Sequence, residues 1–187
     1  MFDAQCDFAA VAYGIDDDPD RLLLDFAEDL RGSGRRVAGI IQLGRARPPG
    51  NHELDAVVLP SVERINLGHH HAGTPLGCRP DPSRLASVAR VIAAAIAEGV
   101  DLVVINRFGK LEADGQGLIH LIKSAVHADI PVVTAVPDYR FGAWLNYSGG
   151  MSVRLRCHRA SLDHWWRSVA RGAPGRIACA TFCEIAK

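Results

Sequence analysis

Four stretches of the chain are continuously apolar, without alternating polar residues. They are FAAVAY at 8–13, RVAGIIQL at 36–43, DLVVIN at 101–106 and IPVVTAVP at 130–137. An apolar run of this kind is typical of a strand that is buried on both faces of a parallel sheet. The pattern therefore predicts the central strands of such a sheet.

Helical periodicity is found in segments that alternate with these strands. Apolar residues recur at spacings of three and four in three sets: Leu23, Phe26, Ala27 and Leu30; Leu85, Val88, Ala89, Ile92 and Ile96; Leu118, Leu121, Ile122 and Ala125. The pairs Asp18-Pro19 and Asp81-Pro82 are typical of an N-cap followed by a first-turn proline. The alternation predicts an α/β fold with three layers, whose mostly parallel, doubly wound sheet is covered by helices on both faces. A length of 187 residues suits a single domain over 1–187.

The remaining segments predict smaller elements. DAVVLP and ERINLG read as a pair of short strands, FGAWLNYSGG as a short helix and turn, and MSVRL as an edge strand. A C-terminal helix is predicted near 161–171, with Ser161 as its cap. Its two tryptophans, Trp165 and Trp166, suit packing in the core or against another subunit, and the alternative is a platform that stacks on a base. Trp144 and Tyr147 are expected to pack near this helix.

The composition limits the classes of partner. Lys plus Arg and Asp plus Glu number 21 each, so no net charge attracts nucleic acid or anionic lipid. No apolar run reaches the roughly 20 residues that a membrane span needs, and no signal peptide is recognisable. The five scattered cysteines suit reduced thiols. We therefore expect a cytoplasmic protein without membrane insertion.

The loop after the first strand is where a doubly wound sheet would carry a phosphate-binding loop, G-x-x-x-x-G-K-[ST]. From Gly14 the chain reads GIDDDPDR, so Pro19, Asp20 and Arg21 stand in place of the second glycine, the lysine and the hydroxyl. The proline removes an N–H donor, and four aspartates would repel a polyphosphate. ATP is therefore not expected to bind. The acidic loop either caps the following helix or holds a hydrated cation.

Several stretches, taken in order, resemble a bacterial family classed as a numbered domain of unknown function. They are VAYGIDDDPDRLLLDFAEDLRGSGRRVAGIIQ, GCRPDPSRLASV, and DLVVINRFGKLEADGQGL followed by IPVVTAVP, over about residues 8–155. The genes of that family are typically found beside molybdenum-transport genes, and the family is similar to P-loop nucleoside-triphosphatases and molybdopterin-guanine dinucleotide accessory proteins. The resemblance implies a P-loop-hydrolase type of fold with a degenerate Walker A loop. Asn106 stands where such a hydrolase has its Walker B aspartate.

The most specific part of the resemblance, NRFGK.E..G.G, also contains the main candidate site. Arg107 and Lys110 follow a strand and lie near Gly109, and this combination of cations and close backbone suits an oxyanion. Asn106 and Glu112 would orient these groups, and Glu112 is also a weak candidate for a general base. The alternative is a turn in which Glu112 and Asp114 neutralise Arg107 and Lys110.

A second candidate region is the long loop at 68–82. Arg79, just before a helix N-terminus, is predicted to be a further anion contact. His69, His70 and His71 invite a metal site, completed by His52 or Cys78. The alternatives are a solvated histidine loop and a packed cysteine. Cys179 and Cys183 have a spacing that suits two ligands of one metal ion. The chain has no second pair of cysteines at such a spacing, which argues against this site.

Together these observations predict an accessory protein of molybdenum metabolism that binds molybdate, tungstate or a related oxyanion without hydrolysing nucleotide. Two alternatives stay open. The first is an atypical nucleoside-triphosphate hydrolase using Glu112 and Lys110, and the second is an interaction module presenting the Trp-bearing C-terminal helix. The expected partners are the small oxyanion and, from the resemblance, molybdenum-transport or cofactor-assembly proteins. Self-association is left open, and no nucleic acid is expected.

Overall fold

The computed structural model describes residues 7–43, 55–68 and 80–170. Its strands are β1 (Phe8–Tyr13), β2 (Val37–Leu43), β3 (Asp55–Leu59), β4 (Glu63–Asn66), β5 (Leu102–Ile105), β6 (Val132–Pro137) and β7 (Val153–Arg156). Its helices are α1 (Pro19–Gly32), α2 (Pro82–Glu98), α3 (Lys110–Ala113), α4 (Ile119–His127), α5 (Phe141–Ser148) and α6 (Arg159–Ala170), and a 3₁₀ turn covers Asp138–Arg140.

The strands form one mostly parallel sheet. Their order is β4-β3-β2-β5-β6-β1-β7, and the five strands from β2 to β7 in this order are mutually parallel. Strands β3 and β4 continue the sheet in antiparallel pairing, as the two short strands predicted from the sequence. This α/β arrangement is consistent with a P-loop-like fold.

Helices cover both faces of the sheet, because the central strands are apolar on both sides. On one face, α2, α4 and α5 pack over a core that includes Ile92, Leu121 and Trp144. On the other face, α1 and α6 pack over a core that includes Phe26 and Trp165. The predicted three-layer arrangement therefore holds in the described part of the chain.

The two predicted helix starts at Asp-Pro pairs are confirmed. The Asp18 carboxylate accepts a hydrogen bond of 3.0 Å from the Arg21 N–H at the start of α1. The Asp81 carboxylate accepts from the N–H groups of Ser83 and Arg84 at the start of α2. These bonds satisfy backbone donors that a helix N-terminus leaves without partners.

Two local predictions at the C-terminal end are wrong. Helix α6 begins at Arg159, so Ser161 lies in its first turn and is not the cap. Trp144 and Tyr147 do not pack near α6, because they lie on the opposite face of the sheet. There the Trp144 ring meets Phe108 edge to face, with 5.0 Å between the ring centroids. Periodicity along one helix does not reveal which face of the sheet the helix covers.

None of the helices within 7–43, 55–68 and 80–170 has the length and apolar content that a membrane crossing requires. The predicted loop at 44–53 and most of the loop at 68–82 lie outside the described residues.

Candidate functional site

The candidate site lies at the carboxyl edge of the parallel strands, where β1, β2, β5 and β6 end. Strand β1 leads into the GIDDDPDR loop, and β5 leads into NRFGKLEADGQG. Loops at this edge of an open α/β sheet are the usual place for a ligand. The structure brings these two loops together through Asp20.

Asp20 lies in the first turn of α1 and is only 3 % exposed. A buried carboxylate needs a compensating charge and hydrogen bonds. Asp20 receives both from the end of β5, which is more than eighty residues further along the chain. This contact between the two loops was not predicted from the sequence.

The partner of Asp20 is Arg107. The Arg107 Nε donates to Asp20 Oδ1 at 3.3 Å, and Nη2 forms an ion pair with Oδ2. Burial acts to lower the pKa of the Arg107 guanidinium, but the hydrogen bond and charge of Asp20 outweigh it, so the pKa is raised. The guanidinium is therefore fixed in its charged state and in one orientation.

The Arg107 side chain stays partly exposed to solvent. It is 28 % exposed, and Nη1 has no hydrogen-bond partner among the residues that the structure describes. A guanidinium has five N–H donors, and the pair with Asp20 uses two of them. The other three N–H groups have no hydrogen-bond partner among the described residues.

Asn106 connects β5, β2 and Asp20, and all its side-chain contacts are internal. Its amide oxygen accepts from the Gln42 N–H at 2.9 Å. Its Nδ2 donates to the Gln42 carbonyl at 3.1 Å and to Asp20 Oδ1 at 2.8 Å. The side chain therefore continues the ladder between β2 and β5 by one step. It holds Asp20 and is not available as a ligand contact in this arrangement.

Glu112 organises the glycine-rich part of the second loop. One of its carboxylate oxygens accepts from the Gly109 N–H at 3.0 Å, and the other accepts from the Leu118 N–H at 3.3 Å. Gly117 has a φ of +63°, and a Cβ at this residue would lie 2.2 Å from Glu112 Oε1. A side chain at Gly117 would adopt a strained φ and would displace the Glu112 carboxylate that closes the loop.

The predicted turn, in which Glu112 and Asp114 neutralise Arg107 and Lys110, is wrong. Arg107 pairs with Asp20, and Glu112 binds backbone N–H groups. Lys110 is exposed at the start of α3 and has no ion pair within the described residues. The segment after β5 therefore contains one cation anchored by an ion pair, Arg107, and one solvent-exposed cation three residues later, Lys110.

The acidic loop serves α1 through hydrogen bonds. Asp18 caps the helix, and the Asp17 carboxylate accepts from the Gly14 N–H at 2.7 Å. In the described part of the chain, no group of three or more His, Cys, Asp or Glu residues is placed to hold a metal ion. The capping interpretation is confirmed for Asp18, and the hydrated-cation interpretation gains no support.

Several predicted contacts lie outside the described residues. They are Arg79 and Cys78, and the histidines His52, His69, His70 and His71. The predicted metal site and the third anion contact therefore stay predictions. The metal clip predicted for Cys179 and Cys183 also falls on residues beyond 170.

Sequence reasoning missed Asp20 and Gln42. Asp20 was counted only as a negative charge that repels phosphate, although it neutralises Arg107. The signal was present: an aspartate follows Pro19 in the loop after the first predicted strand, and an arginine follows Asn106 at the end of another. Gln42 takes part through its backbone, which gives no signal in the side-chain pattern.

The chain is similar to proteins of one known family. A family profile described as a protein of unknown function, DUF2478, matches residues 8–165. The chain belongs to the DUF2478 family. The matched region runs from β1 into α6, so it includes every described residue of the candidate site.

One curated relative of this DUF2478 chain is the molybdenum import ATP-binding protein ModC 2 of Bradyrhizobium diazoefficiens. The two are 39 % identical over 163 residues, which are 87 % of this chain. The matched region is only 18 % of the relative, so most of that protein has no counterpart here. No solved structure matches the chain at a significant level.

Proposed function

We propose that the chain is an accessory protein of molybdenum metabolism that binds molybdate, tungstate or a related tetrahedral oxyanion at the carboxyl edge of the sheet. Arg107 and Lys110 are the cationic contacts, and Asn106, Gly109 and Glu112 shape the loop that presents them. Arg79 is proposed as a further contact from the neighbouring loop. The single observation that carries the proposal is the partly exposed Arg107 side chain, whose guanidinium is held by an ion pair with the buried Asp20.

A fixed guanidinium is well suited to an oxyanion. The planar fork of arginine matches the spacing of two oxygens on one tetrahedral centre, and a held side chain loses little rotamer entropy on binding. Asp20 cancels much of the charge of Arg107 at long range. Affinity therefore depends on directed hydrogen bonds at short range and on the charge of Lys110.

The molybdenum assignment is supported by the relative from Bradyrhizobium, whose name is that of a molybdenum import ATP-binding protein. Molybdate and tungstate have nearly the same shape and charge, so this site would accept both. Sulfate and phosphate share the tetrahedral shape and are the natural competitors.

Nucleotide hydrolysis is the alternative that the geometry favours less. A general base needs a carboxylate oxygen that is open to the attacking water. Both Glu112 oxygens accept backbone N–H groups, and Asn106 is saturated by Gln42 and Asp20. We therefore propose a binding role without hydrolysis.

The proposal is tested by calorimetry and thermal shift with molybdate, tungstate, sulfate, phosphate and magnesium-ATP. We expect molybdate and tungstate to stabilise the wild type. Arg107→Lys keeps the charge beside Asp20 but loses the second donor edge, so it should weaken molybdate binding at least tenfold. Lys110→Ala should weaken it about fivefold, the effect of one exposed charge.

The matched control is Lys123→Ala, which removes an exposed lysine of α4 and should leave molybdate affinity unchanged. The proposal is contradicted if no oxyanion stabilises the protein, or if Arg107→Lys and Lys110→Ala bind molybdate as the wild type does.

A second candidate function is docking to an ATP-binding protein of molybdenum import. Ile15 is 88 % exposed and Tyr139 is 80 % exposed. The two residues follow Tyr13 and Pro137, which are partners in neighbouring strands, so both lie at the carboxyl edge of the sheet. The relative is named as an ATP-binding protein, and the region similar to this chain is 18 % of it. That region and the rest of the relative are therefore parts of one polypeptide. The double variant I15S/Y139S should abolish co-elution with such a protein, and retained co-elution would contradict this role.

A further inference from the structure

In the loop between β1 and α1, aspartate carboxylates accept hydrogen bonds from backbone N–H groups that would bind phosphate in a phosphate loop. The Gly14 N–H donates to the Asp17 carboxylate at 2.7 Å, and the Arg21 N–H donates to the Asp18 carboxylate at 3.0 Å. Pro19 lies between them and has no N–H. In a phosphate loop, backbone donors of this kind point at the ligand.

Asp20 completes this internal occupation. In the phosphate-loop pattern its position belongs to the lysine that contacts the terminal phosphates. Here the residue is a buried carboxylate whose oxygens are held by Arg107 and Asn106. Aspartates therefore take over three features of a phosphate loop. Asp17 binds the N–H donor at the start of the loop, and Asp18 binds an N–H donor at the start of the helix. Asp20 replaces the cation with a negative charge.

We infer that Asp20, with Asp17 and Asp18, restricts the site to a single small oxyanion and excludes pyrophosphate and nucleotides. This inference rests on the proposed oxyanion site at Arg107. One tetrahedral anion on the outer edge of Arg107 is separated from Asp20 by the guanidinium itself. A second phosphate group directed along the loop toward α1 meets the carboxylates of Asp17 and Asp18, and finds their N–H donors taken.

The size of the exclusion follows from the charges. A like charge about 4 Å away weakens binding roughly fivefold in water, and considerably more at a partly buried position. The lysine that would offset this repulsion in a phosphate loop is replaced here by Asp20. We therefore expect the wild type to prefer molybdate over pyrophosphate by at least tenfold.

The test compares the affinities of molybdate, pyrophosphate and magnesium-ADP by calorimetry in wild type and variants. Asp20→Asn removes the charge and keeps an oxygen that accepts from Asn106. It should reduce the preference for molybdate over pyrophosphate at least fivefold, mainly through tighter pyrophosphate binding. Asp17→Asn, which leaves the core unchanged, should act in the same direction by about twofold to fivefold.

The matched control is Asp25→Asn. It removes one negative charge from the same helix, where Asp25 pairs with Arg21 on the exposed surface, and should change the preference less than twofold. Circular dichroism and thermal melting establish that each variant is folded.

The outcomes separate the two proposals. If the wild type binds molybdate and both aspartate variants keep its preference, the role of the aspartates is overturned and the oxyanion site stands. If the wild type binds pyrophosphate or magnesium-ADP as tightly as molybdate, the exclusion is likewise overturned. If the wild type binds none of the three probes, the proposed function fails, and the inference fails with it.

Discussion

Replacing Arg107 by methionine tests the buried ion pair that joins the two loops. The side chain of Asp20 is 5 % exposed and that of Arg107 is 28 % exposed, so water replaces little of the lost interaction. Removing one partner of a buried pair costs about 3–5 kcal/mol, because it leaves the other charge unpaired. Since Arg107 is partly exposed, we expect the lower end of this range, about 3 kcal/mol of unfolding free energy.

The assay is urea unfolding at neutral pH, supported by thermal melting. For a domain of this size, a loss of about 3 kcal/mol corresponds to a fall in Tm of roughly 6–12 °C. The double variant D20N/R107M should regain most of the loss, because it has no buried unpaired charge and still offers an oxygen to Asn106. The two single variants and the double variant together form a cycle that measures the coupling between Asp20 and Arg107.

Arg154→Met is the matched control for this prediction. Arg154 pairs with Asp138 at 3.1 Å, but both side chains are more than half exposed. An exposed pair of this kind is worth at most about 1 kcal/mol. A stabilising role for the buried Asp20–Arg107 pair is refuted if Arg107→Met lowers the unfolding free energy no more than Arg154→Met, or if the double variant is no more stable than Arg107→Met alone.

Two further predictions concern the loop closure and the aromatic cluster. Gly117→Ala should lower the unfolding free energy by about 2 kcal/mol, because of the positive φ and the contact with Glu112. Gly142→Ala, in an open position of α5, should be neutral or stabilising. Equal effects of the two substitutions in urea unfolding would contradict the closure of the loop by Glu112. Burial raises the pKa of Tyr147 above its ordinary value of 10.0. Above about pH 10 the unfolded chain releases this proton first, so wild-type stability should fall with rising pH more steeply than that of Tyr147→Phe; parallel stability curves between pH 9 and pH 11 would refute this reasoning.

The layers of the fold follow from the sequence because their signals are local. Uninterrupted apolar runs identify the central strands, and Asp18 and Asp81 mark helix starts through hydrogen bonds to N–H groups two or three residues away. The position of Trp144 shows the limit of this reasoning. Its helix is recognisable from the sequence, but the choice of face depends on packing against Phe8 and Phe108, which lie far away in the chain.

The location of the site was predictable from the sequence, but the hydrogen-bond and ion-pair partners of its residues were not. Strand-end position and residue type identify Arg107 and Lys110 as candidate cations. The pairing of Arg107 with Asp20 depends on a contact across 87 positions of the sequence, and the nearer acids Glu112 and Asp114 were the natural guess. Glu112 is instead held by backbone N–H groups, which every residue except proline carries and which therefore leave no pattern in the sequence.

The proposed oxyanion site is tested most directly by anomalous diffraction at the tungsten absorption edge from a crystal of the protein soaked in tungstate. The heavy atom identifies the anion without ambiguity. We expect an anomalous peak at the carboxyl edge of the sheet, with the oxygens of the anion within hydrogen-bond distance, about 3 Å, of Arg107 Nη1. We also expect the ion pair between Arg107 and Asp20 to stay intact. The proposed oxyanion site is contradicted if the crystals take up tungstate only elsewhere, or if they take up none at concentrations that stabilise the protein in solution.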